Sequence, residues 1–82
     1  MNLADLKRRL QLGVKVKLIE APTMPNHKFL GVIREVTKVQ TNAVKLGSSF
    51  LDFPKAANII GTENTFTILE NGKPFLVYEF VK

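Results

Sequence analysis

Three features of this chain predict a mainly β fold, a small SH3-like or strongly bent antiparallel barrel of five to six strands with one N-terminal helix. An Asn71-Gly72 dipeptide stands between two runs, TFTILE and KPFLVYEFV, that are rich in aromatic and β-branched residues. Apolar and basic residues alternate over Val14–Leu18. Turn-forming residues recur between the later apolar runs at spacings typical of short strands. The whole of residues 1–82 reads as one domain, a helix over 2–12 followed by a β-rich body over 14–82.

The helix rests on Asn2 as N-cap, with Asp5 three residues on in a variant of the capping box. Leu3, Leu6 and Leu10 form one apolar stripe, while Asp5 near the start and Lys7, Arg8 and Arg9 near the end complement the helix dipole. Gly13 is the expected C-terminal stop. A helix of about eleven residues does not stand alone in water, so the leucine stripe must dock on the sheet and leave Arg8 and Arg9 outward.

In the first strand Val14, Val16 and Leu18 point inward, and Lys15 and Lys17 outward. Pro22 and Pro25 break the strand and make residues 21–27 a loop. Lys28–Gln40 reads as one long strand whose apolar parity switches: Leu30, Val32 and Val36 share a face with Arg34, and Phe29, Ile33 and Val39 lie opposite. Gly31 is the expected bend. Gln40–Asn42 is a turn, Ala43–Leu46 a third strand, and Phe50–Phe53 a short fourth, with Phe50 and Phe53 expected to close the core. Pro54–Ala57 suits one helical turn, and of Ile59 and Ile60 one side chain should be buried.

A two-residue turn at Asn71-Gly72 would pair Glu70 with Lys73, Ile68 with Phe75 and Phe66 with Val77. A three-residue loop would instead gather Phe66, Ile68, Leu76, Tyr78 and Phe80 on one face. The Asn-Gly preference favours the first. In either register the last strand is apolar on both faces. The helix or the curl of the sheet must then cover its second side.

An 82-residue chain buries roughly 60% of its unfolded surface, and 45% hydrophobic residues suffice for a core. The absence of cysteine excludes disulfides, thiolate ligands and a Cys nucleophile, and suits the cytoplasm. No apolar run approaches the ~18 residues of a membrane-spanning helix, and the N-terminus lacks the order of a signal peptide. The net charge of +5 is uneven: residues 1–45 carry nine basic side chains against three acidic, residues 46–82 three against four.

No catalytic constellation emerges, and a non-enzymatic reading follows. His27 is the single histidine and sits in a Pro-rich loop, so neither a metal site nor a triad with Ser48 or Ser49 is indicated, and no cofactor is implied. Asp52, Glu63, Glu70 and Glu79 are scattered, and no phosphate-binding glycine motif is present. A small-molecule ligand and a membrane are both disfavoured as partners.

The charge asymmetry points instead to nucleic-acid phosphates, DNA or RNA, with Arg8, Arg9, Lys15, Lys17, Arg34, Lys38 and Lys45 as the contacting residues. Four or five such contacts on duplex DNA give a salt slope near −4. Against this, only Phe29 of the seven aromatics lies in the basic half. The alternative is a protein-interaction module using an exposed sheet edge or an aromatic groove near Phe50, Phe53, Pro22 and Pro25.

The runs VQTNAVKL, SSFLDFPKA and VYEFV resemble small proteins of unassigned function carried by phages and integrative elements of Gram-positive bacteria. The resemblance implies an accessory protein inside a bacterial cell and brings no site residues with it.

Overall fold

A computed structural model describes residues 2–82. Helix α1 spans Leu3–Arg9, followed by β1 (Lys15–Glu20), β2 (Ile33–Val39), β3 (Ala43–Leu46), β4 (Ser49–Asp52), a 3₁₀ turn at Ala56–Asn58, β5 (Ile59–Gly61), β6 (Thr65–Glu70) and β7 (Lys73–Val81). The strands form one antiparallel sheet in the order β4-β3-β2-β1-β7-β6-β5. Two meanders, β1–β4 and β5–β7, are thus joined where the first strand pairs with the last. The fold is mainly β with one short helix, as the sequence indicates. It has seven strands, however, not five or six, and β4 and β5 do not pair with each other, so the sheet is not closed into a barrel.

The connection between those two ends forces curvature. A flat sheet would hold β4 and β5 about 29 Å apart across six strand spacings, whereas the seven steps from Asp52 to Ile59 span about 25 Å even when fully extended. The 3₁₀ turn shortens that reach further. The sheet therefore curls, and side chains from both ends, Val44 and Leu46 on β3 and Ile59 on β5, share one core with Val16, Leu18, Val36, Phe66, Ile68, Leu76 and Tyr78.

Helix α1 closes the hollow of this curl. Asn2 and Asp5 form a reciprocal capping box, and Leu6 and Leu10 are buried in the core with Leu3 packed beside them. The helix stops at Arg9, three residues before the expected limit. Gln11 and Val14 close turns after it, and Gly13, at φ +89°, donates its N–H to the Val36 carbonyl.

The β6–β7 hairpin combines the two registers the sequence allows. Asn71 (φ +53°) and Gly72 (φ +75°) make a two-residue turn with both φ positive, and Glu70 faces Lys73. Past Leu69 and Pro74 the register then shifts, and Ile68 faces Leu76 and Phe66 faces Tyr78. The expected pairs Ile68–Phe75 and Phe66–Val77 do not form. Pro74 has no N–H to give the ladder, and the bulge beside it inserts the extra residue. Phe66, Ile68, Leu76, Tyr78 and Phe80 consequently line the inner face, with the Phe66 and Tyr78 rings stacked at 5.0 Å. Phe75, the extra residue of the bulge, packs against the core, and the outer face of β7 keeps half-buried Val77 and Val81 and exposed Glu79. No helix covers it.

The parity switch in the second strand is real, but its place differs. The strand begins at Ile33, and Gly31, at φ +78°, belongs to the preceding turns. The bulge falls between Val36 and Lys38, where the Thr37 hydroxyl donates to the Gly47 carbonyl at 2.9 Å. Val36 and Val39, three residues apart, thereby face Leu46 and Val44. Of the two adjacent isoleucines Ile59 is buried and Ile60 exposed. Phe53 packs on the core, but Phe50 points outward and is 53% exposed, so it does not close the core.

Candidate nucleic-acid interface

The register sorts the seven predicted basic residues onto different surfaces. Arg8 lies on the exposed side of α1 and pairs with Asp5. Arg9 folds back: its guanidinium carbon sits 3.7 Å from the centre of the Phe80 ring, and it donates to the Glu63 carbonyl, tying α1 to the β5–β6 loop. Arg34 faces Val16 across the ladder and therefore projects to the inner side. It lies 3.9 Å over the Phe29 ring and donates to the Tyr78 hydroxyl at 3.3 Å. Burial pushes the Tyr78 phenol up from its ordinary value, opposed by the charge and hydrogen bond of Arg34.

Only Lys15, Lys17, Lys38 and Lys45 share the outer face of β1–β3. Two of these have carboxylates beside them. Lys15 stands opposite Glu35, and Lys17 stands opposite Ile33 on one side and Glu79 on the other. Lys38 and Lys45 stand opposite each other. Lys45 is in turn opposite Phe50 on β4, its Nζ 5.7 Å from the ring centre. Like charges facing across a ladder are destabilising, and the bulge at Thr37 puts them there. Asp52 lies diagonally along β4 and pairs with neither; among the described residues the Arg8–Asp5 pair is the one ion pair present.

The outer face thus carries a row of two cations and one exposed aromatic, Lys38–Lys45–Phe50, running to the end of the sheet. Next to Lys17 an open groove of about 460 Å³ runs between Ile33, Glu79, Val81 and Lys82. Two features hide this row in the sequence: an aromatic such as Phe50 in a short domain is expected in the core, and the face of Lys38 depends on a bulge that no glycine marks. His27 is half-buried, its Nδ1 accepting the Phe29 N–H at 3.1 Å. No protein-family model, no curated protein and no solved structure matches the chain. Among the described residues no helix is long and apolar enough to cross a membrane.

Proposed function

We propose that this chain is a non-enzymatic module that binds single-stranded nucleic acid across the open outer face of its sheet. The observation that carries the reading is the row Lys38–Lys45–Phe50. Two ammonium groups without carboxylate partners stand opposite each other on adjacent strands, a pair of charges suited to backbone phosphates, and an exposed phenyl ring beside them offers a stacking surface for a base. Lys15 and Lys17 extend the same face, at reduced strength because Glu35 and Glu79 neighbour them. Arg8, Arg9 and Arg34 have no part in this reading, since each is engaged elsewhere. The curl and the terminal helix suit the small-barrel style of binding module, of bacterial or mobile-element origin and acting in the cytoplasm.

Fluorescence anisotropy with a labelled oligothymidylate tests the reading. The wild-type chain should bind at low salt, and Lys38→Gln with Lys45→Gln should weaken binding at least tenfold. Equal affinity in wild type and double variant would refute it. A second reading, strand addition by a protein partner, draws on β4, which ends the sheet with one side of its backbone outside the ladder. In that case Phe50→Ala would abolish partner binding and the lysine substitutions would leave it intact.

A further inference from the structure

Arg34 is the one charged side chain at the inner-facing positions of β1–β4, where Val16, Leu18, Val36, Val39, Val44, Leu46, Ser49 and Leu51 make up the rest. It is half-buried and no carboxylate of the described residues pairs with it. A guanidinium withdrawn from water normally has an anion beside it, because the ring and the hydroxyl that hold Arg34 supply no opposite charge. A second cation addresses the same ring: the Lys28 Nζ lies 5.0 Å from the centre of Phe29. The His27 ring sits 5.9 Å from that of Phe29, and its Nδ1 accepts the Phe29 N–H.

The segment presenting these groups is held firmly. Successive turns run from Ala21 to Met24, Met24 to His27, His27 to Leu30 and Phe29 to Val32, and the Gly31 N–H bonds the Leu18 carbonyl on β1 at 2.7 Å. Leu30 forms a parallel bridge with Leu18. The connection from Ala21 to Val32 is thus pinned to the sheet, and it sets the Phe29 ring against Arg34 with the Lys28 ammonium beside the same ring.

We propose that Arg34 and Lys28 form a binding site for a phosphoryl oxyanion, the guanidinium giving two N–H donors to its oxygens and the ammonium supplying the second charge, with Phe29 fixing both. The site lies on the face opposite the Lys38–Lys45–Phe50 row and does not depend on the function proposed for that row. The phosphoryl group comes from free phosphate or a mononucleotide, or from a nucleic-acid backbone.

An NMR titration with inorganic phosphate at constant ionic strength tests it, followed on the amides of Lys28–Arg34 and on the Arg34 Nε–H. Saturable shifts confined to this segment are expected. Lys28→Gln, an exposed position whose change leaves the fold intact, should raise the dissociation constant at least threefold, and Arg34→Gln should abolish saturation. Lys38→Gln with Lys45→Gln should leave the phosphate shifts unchanged, which separates this site from the outer face. Oligothymidylate producing the same Lys28-dependent shifts assigns the source to a nucleic-acid backbone; shifts with phosphate alone assign it to the free group. Non-saturating drift equal to that given by chloride, or saturation indifferent to Lys28→Gln, or loss of the shifts in the Lys38→Gln/Lys45→Gln protein, would overturn the proposal.

Discussion

The two faces of β1–β4 are made by alternate residues of the same strands, yet they solve opposite problems. The inner face collects Val16, Leu18, Val36, Val44 and Leu46 under α1, with Arg34 as its single charge, laid on Phe29 and bonded to Tyr78. The outer face is covered by no helix and carries lysines. Over β1 each lysine has a glutamate on a neighbouring strand; over β2–β4 two lysines face each other beside an exposed phenylalanine. The difference teaches that basic residues counted along a chain do not make a basic surface. Pairing decides which charges are compensated, and a single bulge at Thr37 decides that Lys38 meets Lys45.

Substitutions on the two faces should separate stability from binding. Phe66→Ala on the inner face removes a fully buried ring stacked on Tyr78 and tilted against Phe80, and should cost about 3–5 kcal/mol in urea unfolding. A cost below about 1 kcal/mol would mean that the core lies elsewhere. Arg9→Ala should cost about 1–2 kcal/mol, from the lost ring contact and the lost bond to the Glu63 carbonyl, with no change in oligonucleotide affinity. Weakened binding in that variant would move the interface toward the helix.

Tyr78 gives a pH signature of the inner face. Its phenol is raised above the ordinary tyrosine value of 10.0 in the folded state, so the folded chain holds this proton where the unfolded chain has released it. That contribution to stability is complete below pH 10.0 and is lost as pH climbs through the folded value. Tyr78→Phe should flatten the alkaline fall in melting temperature; an unchanged alkaline limb would contradict the burial of the hydroxyl. The smallest expected effect is the most diagnostic in sign. Lys38→Glu converts a like-charge pair into an attractive one, so stability should rise by about 0.5 kcal/mol while nucleic-acid affinity falls.

Local chemistry was readable in the sequence wherever one residue decides the geometry. Asn2 with Asp5 set the helix start, Asn71-Gly72 set the turn with both φ positive, and the Val16/Leu18 alternation set the inner face of β1. What escaped depended on distant partners. The register of β7 turned on a bulge beside Pro74, the face of Lys38 on a bulge at Thr37, and the exposure of Phe50 on β4 ending the sheet. The predicted basic set was split for the same reason: Arg34 and Lys17 are seventeen residues apart in sequence and one rung apart in the sheet, but on opposite faces.

The salt dependence of oligothymidylate binding tests the central claim most directly. Phosphate contacts on a single strand each contribute about −0.7 to the slope of log affinity against log salt, so Lys38 and Lys45 predict a slope near −1.4, steepening toward about −3 if Lys15 and Lys17 also engage. In Lys38→Gln/Lys45→Gln the slope should be shallower by about 1.4. A flat salt dependence, a slope untouched by the double substitution, or no binding at low salt would contradict the account.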